Sequence, residues 1–160
     1  MVEYEYSYKV KDINPFIEYC KEKNYSKEKE NLQTRILYHN DNNMLARITK
    51  TEIGEEIYTE FNLKDEGDLE NNLNVCRESP MLVIDNSNKE FIESMLEMLD
   101  FKKFKTLKRK RYVFVKEDVK FEIDDYIELD MKVLAIEGEK SSVDKIYYEL
   151  ENKINKLKVK

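Results

Sequence analysis

The sequence predicts an α+β fold, an antiparallel sheet with helices packed against it. Three observations predict it. Residues 2–10, "VEYEYSYKV", alternate Glu3, Glu5, Ser7 and Lys9 with Val2, Tyr4, Tyr6, Tyr8 and Val10, the two-residue period of a strand. Apolar residues recur at helical spacing in three separate segments. Turn-forming clusters, "HNDNN" at 39–43 and "KED" at 116–118, join neighbouring strand-like stretches into antiparallel hairpins.

The elements follow in order. After the strand at 2–10 comes a helix at 14–25, with Pro15 placed where a helix start accepts it. Residues 33–39, 44–50 and 55–64 are rich in β-branched and aromatic side chains and read as strands. The polar segment 64–79, "KDEGDLENNLNVCRES", has few strand formers and reads as a short helix or loop joining two halves. Residues 81–85 supply a further short strand. A helix follows at 89–100, where Phe91, Ile92, Met95, Leu96 and Met98 mark one face. Strands at 106–116, 119–125 and 132–139 bring the count to eight. A closing helix at 141–156 has Ser141 or Ser142 as cap and Asp144 in its first turn.

At 160 residues, 41% apolar and 39% charged, residues 1–160 suit one domain with a core large enough to fold alone. With only three glycines and two prolines, no flexible linker divides it. The net charge of −6 argues against a surface that grips nucleic acid throughout, leaving only local basic stretches for anions. Cys20, Cys76 and the single histidine, His39, are too few for a disulfide framework or a Cys/His zinc site. A reducing, cytoplasmic setting is expected. The longest strongly apolar run, Met81 to Ile84, is far too short to cross a bilayer, so no membrane role is expected.

Sorting each strand by its two-residue period yields a recurrent polar face. Arg47 and Thr49 share one, Glu60, Asn62 and Lys64 another, Lys120, Glu122 and Asp124 a third, and Glu137 and Glu139 a fourth. Two architectures fit this pattern. In one, the polar face is the wet side of a sheet covered by helices on the other. In the other, it lines the interior of a closed barrel, and eight strands suffice to hold one small ligand. The basic run "KKFKTLKRKRY", residues 102–112, carries guanidinium groups that suit phosphate oxygens, while the carboxylates around it suit a hard cation.

The motifs as a set resemble one family. The alternating acidic first strand, "ARITK" (46–50), "NLK" (62–64), "KRKR" (108–111), "FEIDD" (121–125) and "LAIEGE" (134–139) occur in the order found in CYTH-domain proteins. That superfamily, also called triphosphate tunnel metalloenzymes, includes class IV adenylyl cyclases, thiamine triphosphatases and inorganic triphosphatases. The resemblance covers essentially the whole chain and is most specific from Arg109 onward. It implies a closed, eight-stranded antiparallel barrel enclosing a tunnel, with helices outside. It also implies Mg2+ or Mn2+ as cofactor and a small-molecule triphosphate or polyphosphate as ligand.

Carried over position by position, the resemblance implies Glu3, Glu5 and Glu137 as metal ligands, with Glu139, on the same face, as a further metal ligand that compensates for the missing glutamate at Ala135. Arg47, Lys64, Arg109 and Arg111 become the phosphate clamp, and Asp124 and Glu137 the catalytic carboxylates. Three positions depart from the pattern: Ser7 stands where the family has lysine, Thr49 where it has a second arginine, and Ala135 where it has the first glutamate of the closing pair. Metal-assisted triphosphate hydrolysis is the leading expectation. A class IV-like cyclase and a catalytically impaired nucleotide or polyphosphate binder are the alternatives. Nucleic acid enters only as phosphorylated RNA ends, and a homodimer is compatible with the sequence.

Overall fold

The computed structural model describes residues 2–70 and 73–160. Its elements run β1 (Val2–Lys9), α1 (Asn14–Glu22), β2 (Ser26–Lys27), β3 (Asn31–His39), β4 (Met44–Ile53), β5 (Glu56–Asp65), β6 (Asp68–Glu70) and β7 (Leu73–Arg77). They continue with β8 (Leu82–Val83), α2 (Lys89–Met98), β9 (Lys102–Lys116), β10 (Val119–Tyr126), β11 (Lys132–Gly138) and α3 (Lys140–Leu157). One antiparallel sheet contains every strand. Its order is β6-β7-β1-β11-β10-β9-β3-β4-β5-β8, with β2 pairing β9.

The predicted α+β class and antiparallel sheet are present, but the closed eight-stranded barrel is not. Both edges that would have to join are already used: β7 lies between β1 and β6, and β5 between β4 and β8. The sheet curls far enough for its flanks to meet at one bridge, Lys64 with Glu78, beside which the Ser79 N–H donates to the Leu63 carbonyl at 2.8 Å. It is an open, strongly curled sheet pinned at a seam.

Segment 64–79 also departs from the sequence reading. It ends in β7, whose Leu73 and Cys76 are buried and whose residues pair with β1 from Val2↔Arg77 to Glu5↔Asn74. Pairing with β1 satisfies backbone groups that weak strand formers alone would not order. Asn71 and Asn72, which the sequence places within this connection, lie outside the described residues.

The apolar alternates point outward and are covered by helices. Phe121, Ile123, Leu134 and Ile136 are fully buried against α1 and α3, which contribute Phe16, Cys20, Val143 and Ile154. Each such side chain contributes about 1.5–3 kcal/mol on burial. A second cluster seats Ile92 and Leu96 of α2 on Ala46 and Phe61. Tyr6 leaves the cavity side, stacks on Tyr147 at 4.3 Å and donates its hydroxyl to Asp144 at 2.7 Å. With the apolar faces spent on the helices, the polar alternates are left facing one another across the curl. Among the described residues, no helix is long and apolar enough to cross a membrane.

Candidate functional site

The concave side of the sheet encloses a cavity of about 430 Å3. Strand alternation delivers its lining: Glu3, Glu5 and Ser7 from β1, Arg47 and Thr49 from β4, Arg109 and Arg111 from β9, and Glu122 and Asp124 from β10. Register then fixes the neighbours. Glu5 faces Glu137, Ser7 faces Ala135, and Arg35 on β3 faces Thr49.

At one end Glu3, Glu5 and Glu137 bring a carboxylate oxygen each to within 4.8 Å of one another. Burial, opposed by Lys64 but reinforced by Glu3 and Glu137, pushes the Glu5 carboxyl up to about 7. Burial and the Glu122 charge raise Glu137 as well. Two lysines partly offset the repulsion: Lys64 Nζ lies 3.1 Å from Glu3, and Lys120 Nζ 2.9 Å from Glu137. A cluster of hard oxygens in which Glu5 and Glu137 resist ionisation suits Mg2+ or Mn2+, which would replace their protons.

Guanidinium groups line the same cavity. Arg111 donates in bidentate fashion to Asp124 at 2.8 and 2.9 Å and pairs with Glu122. Burial disfavours the Glu122 anion, yet Arg111, Lys120 and Arg109 outweigh it and hold that carboxyl well below the usual range. Arg109 lies 3.1 Å from Asp124, donates to Gln33 at 2.8 and 3.0 Å, and reaches the Tyr126 hydroxyl at 3.2 Å. Arg47 pairs with Glu78 and donates to Asn62 at 3.0 Å, while Asn62 donates to Glu78 at 2.8 Å. Arg35 is different. Its Nε is buried without a partner, and burial together with the charges of Arg109, Arg47 and Arg111 holds its pKa well below the ordinary guanidinium value.

The structure thus brings together Glu3, Glu5, Arg47, Lys64, Arg109, Arg111, Asp124 and Glu137 in one cavity. Glu139 is not among them. It is an exposed residue in extended conformation at the start of α3, because the strand alternation that aims Glu137 inward ends at Gly138. At Gly138 a Cβ would come within 2.3 Å of the Asp118 carbonyl, so the β9–β10 turn abuts the backbone there. Asp124 stands apart from the Glu3–Glu5–Glu137 triad, with Arg109 and Arg111 on its oxygens.

Sequence reasoning missed Arg35 and Glu78 as lining residues. Arg35 shares a face of β3 with Gln33, which also lines the cavity, and alternates with Ile36 and with Tyr38, which packs on the second apolar cluster; that alternation is the available signal. Glu78 lay in the segment read as a connection, and only the seam geometry brings it to Arg47.

Against known proteins, no family profile and no curated sequence matches the chain. Its fold does match solved structures. The PH1012 protein of Pyrococcus horikoshii is 17% identical with TM-score 0.73, covering 96% of this chain and 90% of that one. HpAC1 of Hippeastrum, assigned as an adenylyl cyclase and reported to have a dominant triphosphatase activity, is 13% identical with TM-score 0.65, covering 96% and 87%. A chain of the Mediator head module of Schizosaccharomyces pombe is 11% identical with TM-score 0.68, covering 95% and 96%. At these identities the likeness is one of fold. A fold shared by proteins so differently described does not define an activity.

Proposed function

We propose that the protein is a divergent CYTH-type, metal-dependent hydrolase of a triphosphate compound bound in this cavity. The observation that carries the reading is that one cavity holds both the Glu3–Glu5–Glu137 triad and three guanidinium groups, those of Arg47, Arg109 and Arg111. Six cationic and six carboxylate side chains line the cavity. A free polyanion would unbalance it, whereas a triphosphate complexed with a divalent cation adds little net charge.

In this reading Glu3, Glu5 and Glu137 hold Mg2+ or Mn2+. The ion, when bound, neutralises charge on the phosphate oxygens and acidifies a water. Arg47 and Lys64 grip phosphate oxygens from the β4–β5 side, and Arg109 and Arg111 from β9. Asp124 acts by positioning, since its two oxygens fix the planes of Arg109 and Arg111. Water oxygen attacks the terminal phosphorus, the bridging P–O bond breaks, and diphosphate leaves. The proton of the attacking water passes to the oxygens of the departing diphosphate, so that phosphate and diphosphate are the products.

The test is release of phosphate from inorganic triphosphate, thiamine triphosphate and ATP, with magnesium and with manganese. Turnover of at least one, abolished by chelation, supports hydrolysis, and cyclic nucleotide with pyrophosphate would mark a cyclase instead. A second reading, a binder without catalysis, is favoured by the neutral Ser7–Ala135 pair beside Glu5 and Glu137. It is supported if metal triphosphate raises the melting temperature with no product formed.

A further inference from the structure

Five of the six cations lining the cavity have a carboxylate within ion-pairing distance: Arg47 has Glu78, Lys64 has Glu3, Arg109 and Arg111 have Asp124, and Lys120 has Glu137. Arg35 has no such partner among the described residues, and its Nε is buried without any hydrogen bond. The strands that flank it offer no carboxylate in register. Its register partners are Thr49 on β4 and Leu107 on β9, neither charged. The carbonyl of Gln33, two residues along the same strand, already accepts twice from Arg109. A guanidinium cannot discard its proton to relieve this, so the site carries an uncompensated positive charge.

We propose that Arg35 is the primary oxyanion anchor of the cavity, its counter-ion being a phosphate group of the ligand. Resting on the phosphate-binding reading above, this assigns the first contact to a residue distinct from the paired arginines. Those must share or surrender a carboxylate before binding phosphate, whereas Arg35 gives up nothing. Its planar fork suits two oxygens of one phosphate. The cost of keeping the charge unpaired falls on the stability of the ligand-free protein, as is common where binding sites are pre-organised.

The test compares wild type with Arg35→Met, which keeps the length and removes the charge, and Arg35→Lys, which keeps the charge and removes the fork. Melting is followed in chloride and in millimolar orthophosphate at matched ionic strength, and magnesium triphosphate binding is measured by calorimetry. Wild type is expected to gain stability from orthophosphate. Arg35→Met is expected to melt no lower than wild type without phosphate, to lose the phosphate response, and to bind magnesium triphosphate at least about tenfold more weakly. Arg35→Lys should retain part of the response. The proposal is overturned if Arg35→Met responds to orthophosphate as wild type does, if wild type does not respond, or if Arg35→Met melts several degrees lower without phosphate. An Arg35-dependent orthophosphate response without any triphosphate binding would retain the anchor and sink the triphosphate reading. Triphosphate binding untouched by Arg35→Met would do the reverse.

Discussion

Glu5 and Glu137 face each other across β1 and β11, with carboxylate oxygens no more than 4.8 Å apart and Glu3 within the same distance. Two acids so placed in a buried setting cannot both ionise cheaply. Their proximity opposes stability until a cation arrives, and this distinguishes the triad from the ion pairs around it.

The pH dependence follows in sign. Glu5 holds its proton up to about 7 when folded, against 4.5 in an unfolded chain. Between those values the folded state binds more protons, so stability falls as pH rises. At about 1.4 kcal/mol per unit the loss reaches up to about 3 kcal/mol, or several degrees of melting temperature. Melting curves without metal should decline from pH 5 to pH 7.5, and magnesium should flatten that decline.

Glu137→Gln keeps the shape of the side chain and removes a ligand charge. Metal-dependent turnover is expected to vanish, together with the magnesium-induced rise in melting temperature, while the circular dichroism spectrum stays that of wild type. An unchanged magnesium response would take Glu137 out of the metal site.

Removing Arg111 tests a different link. Asp124 is almost fully buried, and with Glu122 it would lose its closest guanidinium. Arg111→Ala should destabilise the protein by about 3–5 kcal/mol, the cost of leaving buried carboxylates uncompensated, besides weakening phosphate binding. Denaturant midpoints and binding isotherms on the same variant separate the two effects.

Glu78 competes with any phosphate for Arg47. Glu78→Gln is expected to tighten triphosphate binding severalfold while lowering stability by about 1 kcal/mol, since the pair pins the seam beside Lys64. Calorimetry and thermal melts would read these in opposite directions.

Gly138→Ala would bring a Cβ to 2.3 Å from the Asp118 carbonyl. The expected cost is about 1–3 kcal/mol from forced backbone movement, with loss of metal response because Glu137 is the adjacent residue. Both are read from melts with and without magnesium.

Most of this was legible in the sequence wherever strand alternation was regular. On β10, Phe121 and Ile123 went to the helices and Glu122 and Asp124 to the cavity, as the two-residue period requires. The reading failed where tertiary pairing overrode local pattern. β7 is held by β1 despite a polar sequence, and its presence occupies the edge that a closed barrel would need. Glu139 followed the alternation on paper, but the backbone turns at Gly138 under the β9–β10 hairpin. Glu78 is invisible for a related reason, since only the seam brings it to Arg47; alternation on β3 points to Arg35 as a lining residue, but its lack of a carboxylate partner is a property of the folded cavity and not of spacing.

The most direct measurement is calorimetric titration of the wild-type chain with inorganic triphosphate in the presence and absence of magnesium, with phosphate release followed in parallel. A cavity lined by six cationic and six carboxylate side chains should bind the magnesium complex at least about tenfold more tightly than free triphosphate, and release phosphate from the complex alone. Equal binding with and without the metal would contradict the proposed site.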